Sequence, residues 1–489
     1  MEGFIKKNTN IIIALFIFIS PIIDLLTGIC LHYFHIQFTI GTIIRSLFLI
    51  WISFTTVFIY KKKKLLILYL IGFLYCILYI IGILLYKQGG LLIEIQNLIK
   101  VIYFPILLIS FYSIKEEIRI SKMLLFTVLF FYLIFIFVPT LFNIGYKTYE
   151  ITKVGTLGFF NSANEVGGII SILTPVLFYI LTTSKKNVLK GILLIMYVIV
   201  ILMMGTKTPL LIFIMTLGLS IIYLFINYIR QKEYKKILIS FFITLIGIIA
   251  LLGIIPETNF YKNIKTHLKF LKIKDITEVI EKEEYVDHFI FSQRLTFLKK
   301  EKRLYQKANT YQKVFGIGYL NNGQETKRIE IDYFDIYYSH GIVGFILISI
   351  VIIWILYQLT KVKTPLTYEN YMMKTSLLYI FILSFFTGHI ITAPSVSLIA
   401  SIIIIMLFPK EKESILVVGK KSKDNLQNYE IKYQTPVTNK KDLLIFKILN
   451  YKTYDYSYSE DNNNIALATI ASNHVLNKKE YKELISNNI

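Results

Sequence analysis

Long apolar runs, broken at short intervals by basic clusters and by turns containing Gly or Pro, occupy most of residues 10 to 409. Runs long enough to cross a hydrocarbon core of ~30 Å lie at about 10–30, 38–60, 65–86, 91–112, 122–142, 163–183, 190–206, 208–229, 237–256, 333–359, 373–392 and 394–409. None keeps the two-residue alternation of a half-buried strand, and backbone in lipid must satisfy its hydrogen bonds within its own segment. The pattern predicts an all-α, polytopic helical bundle of about 12 spans over residues 1–409. Two of the divisions rest on tight turns, GTKTP at 205–209 and GHIITAP at 388–394, each of which splits one long apolar stretch.

Composition agrees with the pattern, since a chain of 489 residues that is 55% hydrophobic, with a mean hydropathy of +0.60, is too apolar for a set of soluble domains. The formal charge of +22 sits in short clusters between apolar runs, not in one stripe, which argues for topology and against nucleic acid as a partner. With a cytoplasmic N-terminus, the inner connections hold 20 Lys and Arg and the short outer loops hold four, Lys87, Lys147, Lys153 and Lys207. An even number of spans then places both termini in the cytoplasm of a cell bounded by this plasma membrane. The first apolar run is too long for a signal-peptide core and reads as an uncleaved span. Two cysteines, Cys30 and Cys76, both in or at the end of apolar runs, give neither a disulfide framework nor a Cys-based metal site.

One connection is unlike the rest. Residues 257–332 form a large outer loop in which YKNIKTHLKFLKIKDI sets Ile264, Leu268 and Leu271 on one helical face and Lys262, Lys265, Lys269 and Lys272 on another, as in an interfacial helix. A second amphipathic helix is predicted over RLTFLKKEKRLYQKANTYQKVF, ended by the turn FGIGYLNNG. The tail, 410–489, is polar and mixed in charge, with short β-like runs, and reads as a cytoplasmic segment or small domain.

Ionisable groups inside the apolar runs cost about 2.5–3.5 kcal/mol each at a helix centre on insertion scales, so their positions carry information. Asp24, Arg45, Glu94, Lys100, Glu165, Lys207 and His389 all fall toward the outer ends of their spans. A polar cavity opening outward gathers such groups, and Arg45, Lys100, Lys207 and Arg294 of the loop give it a cationic character suited to phosphate or diphosphate. Each also has a structural reading: Arg45 pairs with Asp24, Lys100 with Glu94, and Lys207 snorkels to the interface. In GTLGFFNSANEVGG (155–168), Asn161 and Asn164 suit the N-cap of the sixth helix beside Glu165, and whichever of these groups the cap leaves over can bond a sugar or a diphosphate.

LGFFNSANEVGG, MGTKTPLLIF, SQRLTFLKK with FGIGYLNNG, IEIDYFDIYYSHGIVGF and FFTGHIITAPSVSL, in that order, resemble the O-antigen ligase and polymerase superfamily of bacterial membrane glycosyltransferases over about residues 10 to 409. The resemblance implies an all-helical GT-C type fold that transfers glycan from an undecaprenyl-diphosphate-linked oligosaccharide to a glycan acceptor outside the membrane, with no nucleotide sugar, metal or other cofactor. Membrane lipid and other polysaccharide-export proteins are the further partners it implies, in capsule or exopolysaccharide synthesis. By position Lys207 stands where the family has an arginine, and Arg294 matches the family's loop arginine. The family histidine, about eleven residues before Gly341, is replaced by Glu330, with Asp332 and Asp335 following, and His340 does not match.

The resulting expectation is a polymerase or ligase in which Glu330 or Asp332 takes the acceptor proton and Arg294 and the other cations stabilise the departing diphosphate. Arg45, Lys100, Lys207, Asn161, Asn164, Glu165 and His389 form the expected substrate site. The acidic cluster pairing with Lys327 and Arg328, and His389 as a structural histidine, are the alternatives at those positions. From another class, a lipid-linked oligosaccharide flippase also fits twelve spans and a cationic cavity, although one connection far longer than the others disagrees with paired halves. A membrane anchor for the tail leaves the buried charges unexplained.

Overall fold

The computed structural model describes residues 2–408, except positions 36–38, 88, 150–152, 184–186, 234, 236–246, 248–252, 274–281, 290, 322–323, 326, 363–364 and 366. The span expected at 237–256 falls largely outside the described residues, and the 410–489 tail wholly so.

The helices are α1 (Glu2–Phe34), α2 (Ile40–Phe54, continued by a π-helical turn Thr55–Ile59), α3 (Lys64–Tyr86), α4 (Leu91–Ser113), α5 (Lys122–Leu141), α6 (Ala163–Thr183), α7 (Asn187–Met204) and α8 (Lys207–Arg230). The large loop contributes α9 (Asn259–Phe270), α10 (Glu283–Phe289), α11 (Arg294–Lys307), α12 (Thr310–Phe315) and a two-residue hairpin, β1 (Leu320–Asn321) against β2 (Gln324–Glu325). The bundle resumes with α13 (Asp332–Thr360), α14 (Tyr368–Phe386) and α15 (Pro394–Met406). Among the described residues eight helices, α1 to α6, α8 and α13, are long and apolar enough to cross a membrane, while α7 and α15 contain shorter apolar helices. Eight of the twelve expected spans are thus matched by long apolar helices among the described residues. The eleventh run becomes α14, which starts on polar Tyr368, Glu369 and Asn370 and carries Lys374, and the twelfth becomes α15, 13 residues long.

Local chemistry sets the helix starts. Thr39, Ser121, Thr258 and Thr367 each accept a backbone N–H from the first turn of the helix they precede. At α6 the cap is Ser162, whose Oγ accepts the Glu165 N–H at 3.3 Å, so neither Asn161 nor Asn164 is used for capping as expected. The long amphipathic stretch of the loop breaks in two, because Asn309 starts α12 with a reciprocal capping box to Gln312. On α9, Ile264, Leu268 and Leu271 pack on Ile273 and Phe289, so the apolar face lies within the protein and the four lysines face out. Asn259 and Asn263 fix α9 to the end of α7 by donating to the Met203 and Gly205 carbonyls at 2.9 and 3.2 Å.

The centre of the bundle is α6 with α15, which packs on α1, α4, α6 and α14. Every α15 residue from Ser395 to Ile405 is buried. Between helices in lipid the association comes from close packing, and Ser397, Ala400 and Ser401 keep that approach short. Gly168 of α6 makes similar room: a Cβ there would stand 2.8 Å from Ile390 Cδ1.

At ~1.5 Å per residue α15 is about 20 Å long, short of a ~30 Å core. The irregular backbone leading into it, 388–393, is buried except for partial exposure at His389, and buried N–H groups need partners. Asp332, fully buried at the start of α13, supplies them: its carboxylate accepts the N–H of His389 at 2.7 Å, of Ile390 and Ile391 at 2.9 Å each, and the Thr392 hydroxyl at 2.6 Å. Asp332→Ala leaves three buried amides unpaired at about 1–3 kcal/mol each, so the melting temperature in detergent is expected to fall sharply or folded protein to be lost. Asp332→Asn, which keeps the shape, is expected to lose less; native-like melting of the alanine variant would mean that the loop is held by something else.

Candidate functional site

The first turn of α6 faces two ways. Because Ser162 caps the helix, Asn164 is released to donate from Nδ2 to Glu330 Oε2 at 3.1 Å, and Glu165 Oε2 accepts the Ser395 hydroxyl at 2.8 Å. Glu330 lies just before α13 with a left-handed backbone, φ +62°. Its N–H donates to Asp335 Oδ2 at 3.0 Å, beside the Ile329 N–H on Oδ1 at 2.9 Å. Gly388 packs beneath it: a Cβ at 388 would come within 2.4 Å of the Glu330 carbonyl oxygen, and Gly388 itself has φ +64°.

Arg294, the first residue of α11, reaches into this corner and is only 7% exposed. Its Nε donates to the Glu330 carbonyl at 3.0 Å, its Nη2 to Glu330 Oε2 at 3.0 Å and to the Thr387 carbonyl at 3.1 Å, and its Nη1 to the Phe291 carbonyl at 3.2 Å. The start of α11 is set in turn by Asp287, which accepts the Leu295 and Thr296 N–H groups at 2.9 Å each. One guanidinium thus joins the loop, the lead into α13 and the end of α14. Glu330 Oε1 carries no hydrogen bond among the described residues, and the side chain is 23% exposed. A fixed carboxylate with one oxygen open to a substrate is the chemically distinctive feature of this corner.

Beside it lies a cavity of about 310 Å³ between α1, α2, α4, α6 and the start of α15. Its polar lining is Asp24, Thr27, Thr39, Thr42, Arg45, Gln96, Asn97, Lys100, Asn161, Ser162 and Glu165, with Phe160, Val166 and Pro394 among the apolar groups. Arg45 pairs with Asp24, which also accepts the Tyr132 hydroxyl. Arg328 donates to Asn97 and lies 4.7 Å over the Tyr319 ring.

The expected site residues therefore fall into three places. Arg45, Lys100, Asn161 and Glu165 share the cavity, while Asn164, Glu330 and Arg294 form the adjoining carboxylate corner. Lys207 stands with the loop instead, donating to the Phe289 carbonyl and lying 4.1 Å over the Phe289 ring, within electrostatic reach of Arg294. His389 is partly exposed in the 388–393 segment, and its N–H is donated to Asp332. Asp332 differs from the proton acceptor expected of it: both its oxygens are spent on the 389–392 segment and none of its surface is exposed. Glu94 is likewise committed, accepting the Tyr319 and Leu320 N–H groups and the Tyr79 hydroxyl at 2.7 to 2.9 Å. His340 is a core histidine between the Tyr75 and Tyr319 hydroxyls, each at 3.0 Å.

The family model described as O-antigen ligase like membrane protein matches residues 6–284 and 272–412. The chain belongs to this family. No curated protein matches it. In this O-antigen ligase-like chain the match includes the carboxylate corner and the cavity lining. Sequence reasoning missed Thr39, Thr42, Tyr132 and Ser395, which are ordinary helix residues until the fold brings them together. Gln96 and Asn97, adjacent polar residues in an apolar run, were a visible signal left unused. The Ser162-x-x-Glu165 spacing likewise pointed to the true cap.

The loop behind Lys207 carries a pH dependence. Burial first, then Lys207 and His288, pull the His267 imidazole down from 6.5 to about 4. A depressed histidine is neutral in the fold, so its contribution to loop stability is intact above about pH 6.5 and declines as pH falls from there toward 4. Amide exchange across 259–289, corrected for the intrinsic rate, is expected to accelerate between pH 7 and 5, and His267→Gln to flatten that trend. A native profile as flat as the variant's would contradict the burial of this ring.

Proposed function

We propose that this O-antigen ligase-like protein is a glycosyltransferase of the outer membrane face that moves a glycan from an undecaprenyl-diphosphate donor to a hydroxyl of a glycan acceptor. The observation that carries the reading is the Glu330 carboxylate, held on one oxygen by Arg294 and Asn164 and open on the other, at the edge of a polar cavity. Oε1 takes the proton of the acceptor hydroxyl as its oxygen attacks the anomeric carbon, and the bond to the diphosphate oxygen breaks with its electron pair. Direct displacement inverts the anomeric centre. Arg294 serves as a positioning residue, since its donors are directed at Glu330 and neighbouring carbonyls. Lys207, with His389 and the fixed charge of Arg294, supports the leaving diphosphate. A lysine there gives charge without a bidentate fork.

The same site serves a polymerase or a ligase, and the absence of the family histidine favours a polymerase. Purified protein given synthetic undecaprenyl-diphosphate oligosaccharide is expected to build a ladder of longer glycans; product appearing only with a non-lipid acceptor identifies a ligase. Glu330→Gln should lower the rate by ~10²–10⁴-fold, the usual weight of a general base, with folded protein retained. Arg294→Lys, which keeps the charge and loses the fork, should lower kcat more than it raises KM. A full ladder from Glu330→Gln would remove the assigned base.

A further inference from the structure

We propose that the 310 Å³ cavity is a recognition pocket for one uncharged sugar residue of the acceptor, and that the donor diphosphate lies outside it. The argument begins with charge. The cavity walls hold two acids, Asp24 and Glu165, and two bases, Arg45 and Lys100, so the formal sum is zero. Arg45 is taken up by Asp24, and that carboxylate accepts a further bond from Tyr132. A diphosphate entering these walls would bring negative charge with no matching excess of cations, and uncompensated charge in a low-dielectric enclosure is heavily penalised. Lys207 is not among the residues that line the cavity; it stands with the loop, donating to the Phe289 carbonyl.

What remains of the lining suits a sugar. Amides and hydroxyls, which both donate and accept, come from Gln96, Asn161, Ser162, Thr39 and Thr42, and Phe160 offers an aromatic surface for the C–H face of a pyranose. The Asn161 amide is exposed to the cavity side and carries no hydrogen bond among the described residues. The volume lies at the lower end of ordinary ligand pockets, ~300–1,000 Å³, enough for a terminal sugar and not for a polymer. The position fits too, because the α6 turn that lines the pocket with Asn161 and Glu165 also places Asn164 on Glu330. A sugar in the pocket presents its hydroxyl toward the open oxygen of that carboxylate. The assignment of this sugar to the acceptor rests on the transferase reading; the binding chemistry does not.

The test uses the full chain in nanodiscs and a panel of free sugars: glucose, galactose, mannose, rhamnose, N-acetylglucosamine, N-acetylgalactosamine and glucuronate, with inorganic pyrophosphate as competitor. Saturation-transfer NMR is expected to show at least one uncharged sugar bound, tighter than glucuronate and not displaced by pyrophosphate. Asn161→Leu, at an exposed position outside the cap, should weaken that sugar at least tenfold, whereas Lys207→Ala should leave it unchanged. Binding of no uncharged sugar, displacement by pyrophosphate, or native affinity in Asn161→Leu each overturns the pocket. Sugar binding in a chain that makes no glycan product keeps the pocket and refutes the transfer reaction; product with unaltered binding in Asn161→Leu does the reverse.

Discussion

The carboxylate of Asp332 gathering the amides of residues 389–391 is the contact on which the rest depends. A 13-residue helix at the centre of a membrane bundle needs a buried, non-helical approach, and that approach survives only if its N–H groups are satisfied. Once it is fixed, the Thr387 carbonyl becomes an acceptor for Arg294 and Gly388 becomes a floor for Glu330. The same device recurs: Glu94 holds 319–320, Asp335 holds 329–330, and Asp287 holds 295–296. Four acids are thus spent on backbone. Each charge-assisted bond to an amide is stronger than a neutral one, which makes a buried carboxylate an effective way to pin irregular chain.

This division of labour leaves the charges of the site sorted by task. Acids that bind two or more amides hold the backbone, Glu330 binds only side chains through a single carboxylate oxygen, and the acids in the cavity face bases there. The comparison of Asp332 with Glu330, two residues apart, shows how completely the surroundings decide. Neither position's role follows from residue type or spacing, because the 387–393 segment that separates them is about sixty residues away in the chain.

The helical bundle was legible in the sequence because apolar length and the cost of unpaired backbone in lipid leave helices as the solution for each run. Hydropathy could not show that Pro394–Met406 is buried within the protein along Ser395–Ile405. On α9 the apolar stripe was read correctly and its partner was not: a stripe of Ile264, Leu268 and Leu271 serves a membrane surface or a neighbouring Phe289 equally well. In the site, Arg45 with Asp24 and the role of Asn164 beside Glu165 could be approached from spacing within spans. The link from Asn164 to Glu330, across more than 160 positions, belongs to tertiary structure alone.

Glu330 itself adds a last step. A non-glycine residue in the left-handed region costs about 1–2 kcal/mol, and such a residue persists only where its surroundings over-determine it. Here its N–H is held by Asp335, its carbonyl by Arg294, its carboxylate by Arg294 and Asn164, and the space beneath it is kept clear by Gly388. A side chain restrained at so many atoms has little reorganisation left to undergo when a proton arrives, which is the property a fixed base or electrostatic partner requires. The neighbouring Asp332 and Asp335, which hold backbone amides, sit in unstrained helix. Of these three acids, the conformational cost falls on Glu330, whose second oxygen stays open.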